Sequence, residues 1–127
     1  MSATILLVED NEQNRYLATF LLEQEGFRIV HAQNGCEAIE VAVREKPALV
    51  LTDIQIPKMD GYEVASQLRI TPGCQNIPIV AVTSYAMAGD RERAISQGFA
   101  GYIEKPIDTE TFVTTIQRFL PGEGVNS

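Results

Sequence analysis

Five short aliphatic runs, each followed by a segment of helical periodicity, constrain this chain more than any other feature. The runs are Thr4 to Val8, Phe27 to Ala32, Ala48 to Thr52, Ile77 to Val82 and Ala100 to Ile103. Between and after them, apolar residues recur at helical spacing: Tyr16, Leu17, Phe20 and Leu21, then Ala38, Ile39, Ala42 and Val43. The series continues with Val64, Ala65 and Leu68, with Met87, Ala94 and Ile95, and with Phe112, Ile116, Phe119 and Leu120. The second set is expected to form a buried stripe and the last to face inward. Strand and helix alternating with short connections imply a parallel sheet covered on both faces. Right-handed crossovers leave few topologies for such a sheet. The second run alternates more than the first, Phe27, Ile29 and Val30 against Arg28 and His31, which suits a sheet edge.

Local punctuation agrees with these boundaries. Asn11 is a candidate cap for the first helix and Gly26 follows its end; Asn34-Gly35 turns into the second, which Lys46-Pro47 stops. Asp60-Gly61 leads into the third helix and Thr71-Pro72-Gly73 ends it, while Gly98 ends the fourth. Asp108 or Thr109 is expected to cap the last helix, and Pro78 is tolerated only near the start of its strand. Residues 1–120 form one expected domain, with 121–127 a tail or the start of a linker.

Size and charge exclude several classes. A chain of 127 residues buries roughly two-thirds of its unfolded surface, so stability requires no disulfide or structural metal. Cys36 and Cys74 lack zinc-site spacing and read as reduced thiols of a cytoplasmic protein. No apolar run approaches the roughly 20 residues of a membrane span, and no signal segment opens the chain. The net charge of -7 argues against a nucleic-acid surface.

Chemistry collects where the strands end. Glu9 and Asp10 follow the first run, Asp53 the third, Thr83 and Ser84 the fourth, Glu104 and Lys105 the fifth. In an open parallel sheet these ends share one edge, and ligands bind there near the point where strand order reverses. Three converging carboxylates would raise one another's pKa values, a conflict that a hard divalent cation such as Mg²⁺ removes. The bland alternative is that Glu9 and Asp10 merely favour the positive end of the first helix and that Lys105 is solvated. Spacing alone leaves both open. His31, the only histidine, reads as solvated.

Five short motifs, in order at these strand ends, carry a resemblance that covers nearly the whole chain. They are Val8-Glu9-Asp10-Asn11, Asp53-Ile54-Gln55-Ile56-Pro57, Met59-Asp60-Gly61, Val82-Thr83 and Lys105-Pro106. Together they resemble the receiver domain of bacterial two-component response regulators. The resemblance implies a flavodoxin-like, doubly wound α/β fold: five parallel strands in the order 2-1-3-4-5 and five helices in three layers. It implies that Asp53 accepts a phosphoryl group, that Glu9 and Asp10 help hold Mg²⁺, and that Gln55 completes the metal shell through its backbone carbonyl. Thr83 matches the hydroxyl that binds the phosphoryl group, Lys105 the neutralising lysine and Tyr102 the switch aromatic. The Lys105-Pro106 bond is expected to be cis, and Gln55 and Tyr85 to tune the phosphoryl lifetime. Asn11, Asn14, Arg15 and the segment Thr83 to Asp90 are similar to receivers of hybrid kinases and single-domain relay regulators. The implied partner is a histidine kinase or histidine phosphotransfer domain, with Asn14 and Arg15 on the expected docking face.

Two other classes share the architecture. A Mg²⁺-dependent phosphatase using Asp53 as nucleophile commonly carries a second acid two residues on, where this chain has Gln55. A flavin or nucleotide module wants a glycine- or hydroxyl-rich loop after the first strand, whereas Glu9-Asp10-Asn11-Glu12 repels phosphate without a metal. A receiver that acts without phosphorylation finds no support, because every chemical residue is present.

Overall fold

The computed structural model describes residues 3–54, 59–84 and 89–120. Gln55, Tyr85, Met87 and the expected tail at 121–127 lie outside the described residues. In chain order the elements are β1 (Thr4–Val8), α1 (Glu12–Gln24), β2 (Arg28–Ala32), α2 (Gly35–Glu45) and β3 (Leu49–Asp53). They continue with α3 (Gly61–Arg69), β4 (Ile79–Thr83), α4 (Asp90–Ser96), β5 (Gly101–Glu104) and α5 (Phe112–Gln117). The strands form one sheet in the order β2-β1-β3-β4-β5, with every neighbouring pair parallel. This is the expected flavodoxin-like arrangement, and the alternating second run does lie at an edge.

Side-chain alternation along each strand divides the interior into two layers. Leu6, Val8, Val50, Ile79 and Ala81 meet Ala38, Val41 and Ala42 of α2, Val64, Ala65 and Leu68 of α3, and Ala94 of α4. On the opposite face, Ile5, Leu7, Leu49, Leu51, Val80 and Val82 meet Ala18 and Leu22 of α1 and Phe112 and Ile116 of α5. Helices on both faces leave the central strands no contact with water, which is why those runs are almost uninterrupted aliphatics.

Several apolar residues at helical spacing lie outward. On α1 the buried residues are Ala18 and Leu22, whereas Tyr16 is 72% and Phe20 48% exposed. Both series fit a helical period; small Ala18 allows the helix close to the sheet, and the two rings instead stack outside with centroids 6.3 Å apart. On α2, Val41 is buried in place of Val43, and on α4 Ile95 is exposed beside buried Ala94. The last helix begins at Phe112 without a side-chain cap. Asp108 serves a preceding turn, accepting the Glu110 N–H on its carboxylate and the Thr111 and Phe112 N–H groups on its carbonyl.

Three caps fix the helix starts nearest the carboxyl edge of the sheet. Asn11, Asn34 and Asp60 each accept the N–H of the residue three positions on at 2.9 Å. At the third, Gly61 donates its N–H to the Ile54 carbonyl at 2.8 Å, bringing α3 directly against the end of β3. A Cβ at Gly61 would lie 2.8 Å from Ile54 Cα and 2.9 Å from the Asp53 carbonyl oxygen. Main chain cannot yield as a flexible side chain does. Gly61→Ala is therefore expected to destabilise the protein by about 1–3 kcal/mol in urea unfolding, and an unchanged midpoint would show that the loop tolerates the methyl.

Candidate functional site

Strand register brings the polar residues to one place. Val8 lies opposite Thr52, so Glu9 emerges level with Asp53, the last residue of β3. Asp53 lies opposite Val82 and Thr83 opposite Glu104, so the ends of β4 and β5 reach the same edge with Lys105 one residue beyond. Because β1 has β2 on one side and β3 on the other, strand order reverses between β1 and β3. That is where an open sheet parts to form a crevice. A cleft of about 280 Å³ lies there, lined by Glu9, Asp10, Asn11, Asn14, Asp53, Ser84 and Lys105.

Lys105 organises the floor of this cleft. Its Nζ donates to Glu9 Oε1 at 2.7 Å and to Asp53 Oδ2 at 2.8 Å. All three side chains are close to buried, with 7% of Lys105, 5% of Glu9 and 11% of Asp53 exposed. Lys105 is thus not the solvated residue of the bland reading. Its backbone N–H is anchored on the Thr83 carbonyl at 2.8 Å, and the Lys105–Pro106 peptide is cis as expected. Burial alone would lower the Lys105 pKa, but the hydrogen bonds and charges of Asp53 and Glu9 together hold the ammonium above its usual range.

Glu9 is bound at every polar atom. Its N–H donates to the Ala32 carbonyl at 3.1 Å, its carbonyl accepts from Arg15 Nη1 at 3.1 Å, and Oε2 accepts the Asn11 N–H at 3.2 Å. Burial pushes its carboxyl above the ordinary range, outweighing the opposing pull of Lys105 and Asn11, and the Asp53 charge adds to the rise. Asp10, by contrast, is exposed at the rim. One carboxylate oxygen from each of Glu9, Asp10 and Asp53 lies within 4.8 Å of the others. Three hard oxygens, incompletely enclosed and open to water, fit Mg²⁺ better than a soft or a tightly caged ion.

The remaining expected residues fall at different depths. Thr83 is buried at the end of β4, whereas Ser84 lines the cleft. Tyr102 is buried, and its hydroxyl has no hydrogen-bond partner among the described residues. Burial raises its pKa, helped by Asp90, Glu104 and Tyr62 and opposed by Arg91, whose guanidinium lies 5.9 Å from the ring centroid. Asn14 lines the cleft, while Arg15 is half-buried and turned to the Glu9 carbonyl. That bond had no signal in the sequence, because a helix residue reaching back over the preceding loop leaves no periodic trace. Gln55 lies outside the described residues. His31 shares a 2.9 Å hydrogen bond with the Thr19 hydroxyl, away from the acids.

Comparisons with known proteins agree with this geometry. The family described as the response regulator receiver domain matches residues 5–117. DivK, a polar-differentiation response regulator of Brucella anthropi, is 40% identical over 120 residues, covering 94% of this chain and 98% of that protein. Among solved structures, the receiver domain of a Pseudomonas aeruginosa sensor histidine kinase superposes with a TM-score of 0.85 at 31% identity, covering 94% of this chain and 98% of that one. That structure carries a magnesium ion coordinated in its active-site cleft. The chemotaxis response regulator CheY4 of Vibrio cholerae gives a TM-score of 0.88 at 26% identity, covering 94% and 100%.

The raised Glu9 carboxyl has a consequence for stability. Its folded pKa exceeds its ordinary 4.5, so the folded state keeps the proton longer. The associated stability is present below about 4.5 and lost as pH rises through the folded value. At neutral pH the charged form is therefore a cost. In EDTA at pH 7, Glu9→Gln is expected to raise stability by about 1 kcal/mol, measured by thermal unfolding. A lower melting temperature would mean that the ion pair to Lys105 outweighs the burial cost.

Proposed function

This chain belongs to the response regulator receiver domain family, and from that premise we propose that Asp53 accepts a phosphoryl group from the phosphohistidine of a histidine kinase or histidine phosphotransfer protein. The observation that carries the reading is the buried Lys105 ammonium, bonded at once to Asp53 and Glu9 beside an open acidic cleft. A cation at that point has no need of water and is already placed where phosphoryl oxygens arrive.

In the transfer an Asp53 carboxylate oxygen forms the new O–P bond as the donor's N–P bond breaks. The electron pair returns to the imidazole, which later takes a proton from solvent. The transition state is loose and rich in charge on the equatorial oxygens, so positioning and electrostatic stabilisation carry the catalysis. Lys105 balances one of those oxygens, and Ser84 and Thr83 are the hydroxyls nearest the end of β4. Glu9, Asp10, Asp53 and the Gln55 carbonyl form the proposed Mg²⁺ shell. When bound, the ion supplies charge neutralisation for the acids and for the incoming phosphoryl group. Magnesium in the cleft of the Pseudomonas receiver supports that assignment.

Phosphorylation adds about two negative charges at the cleft. Thr83 moves toward the phosphoryl oxygens and Tyr102 changes position, altering the surface of α4, β5 and α5 for a downstream protein. A buried hydroxyl without a partner is a cost of about 1–3 kcal/mol, which gives the Tyr102 ring reason to hold a second position. The acyl phosphate is hydrolysed by water, and Gln55 and Tyr85 set its lifetime. The chain assists its own phosphorylation and dephosphorylation without turning over a separate substrate, and acts in the cytoplasm. No helix among the described residues is long and apolar enough to cross a membrane. Residues 1–120 form the receiver domain and 121–127 a tail or linker.

Incubation with Mg²⁺ and acetyl phosphate is expected to add one phosphate, seen by mass spectrometry, and Asp53→Asn to abolish it. A wild-type protein that stays unlabelled by both acetyl phosphate and a cognate kinase would refute the reading.

A further inference from the structure

Asp10 is the exposed member of the acidic cluster, and among the described residues it has no hydrogen-bond or ion-pair partner. Its carboxylate therefore takes its place from the main chain alone. The peptide unit that sets this place is the one joining Glu9 to Asp10, whose carbonyl oxygen is held by Arg15 Nη1 at 3.1 Å. Arg15 is well anchored to deliver that bond. Its own N–H donates to the Asn11 carbonyl at 3.0 Å, in the first turn of α1, whose start the Asn11 side chain caps. The guanidinium also brings a positive charge to the backbone between two acids. Beside it, Lys105 is bonded to two of the three carboxylates, Glu9 and Asp53.

We infer that Arg15 is a positioning residue for the metal cleft, fixing the Glu9–Asp10 peptide plane so that both carboxylates present their oxygens together. The inference rests on the phosphoacceptor reading above. It alters the role expected of Arg15, from a docking contact for the phosphodonor to a support for the acids. Hydrogen-bonded groups behind metal ligands characteristically change affinity about 10–100-fold when removed, because they hold ligands in place before the ion arrives. A loop that must be reordered on binding pays that entropy at each association.

The test is isothermal titration of the 127-residue chain with Mg²⁺, using wild type, Arg15→Ala and Arg15→Lys, with unfolding in EDTA measured alongside. Arg15→Ala is expected to weaken Mg²⁺ about tenfold. Labelling by acetyl phosphate should then slow at low Mg²⁺ and recover at saturating Mg²⁺. Arg15→Lys, which keeps a cationic donor, should regain most of the affinity. Wild-type affinity in Arg15→Ala overturns the inference, as does a labelling defect that saturating Mg²⁺ leaves unchanged. An affinity loss equal in both variants and matched by a lower melting temperature overturns it too, since that is a packing defect. A wild-type chain that takes up no Mg²⁺ removes the phosphoacceptor reading itself, an outcome distinct from normal binding in the variant.

Discussion

One ammonium shared by two carboxylates holds this site together. Lys105 follows the last strand of the sheet and Glu9 the first, Asp53 ends the third, and the bonds of 2.7 and 2.8 Å tie these strand ends together at one edge. Charges withdrawn from water are costly unless paired. Among the described residues lining the cleft, three acids face one lysine, and burial keeps the Glu9 carboxyl reluctant to ionise. Such a cluster is under electrostatic tension that a hard cation would relieve.

The fold serves that tension by rigid means. Parallel register sets the strand ends level, capped helices start immediately beyond them, and Gly61 lets α3 begin against the main chain of β3. Glu9 is held at N–H, carbonyl and carboxylate. The other end of the structure's polar chemistry is looser. Among the described residues the buried Tyr102 hydroxyl has no partner, and α4 beside it is a short helix with Ala94 as its buried residue. Rigidity at the acids and incomplete satisfaction at Tyr102 suit a device in which chemistry at one place changes packing at another.

Much of this was legible in the chain because its signals are redundant. Five aliphatic runs, the cap Asn11 with the turns at Asn34-Gly35 and Asp60-Gly61, and the acids at the ends of β1 and β3 each point to the same architecture, and the strand order follows the family resemblance. Helix faces were less legible. On α1, Tyr16 and Phe20 obey the same period as Ala18 and Leu22, and only packing against the sheet decides that the smaller pair lies inward. The start of α5 was misplaced because Asp108 organises a turn before the helix and does not cap it. The bond from Arg15 to the Glu9 carbonyl was invisible, since it joins a side chain to a backbone atom and depends on where the loop runs.

The central claim is that a phosphoryl group sits on Asp53 with Lys105 as its counter-charge. A crystal structure grown with Mg²⁺ and beryllium fluoride, whose tetrahedral adduct imitates an acyl phosphate, tests this most directly. The account predicts beryllium bonded to an Asp53 carboxylate oxygen, with Lys105 Nζ turned to a fluoride. Beryllium fluoride seated on Glu9 or Asp10, or an Asp53 left bare under saturating Mg²⁺, would contradict it.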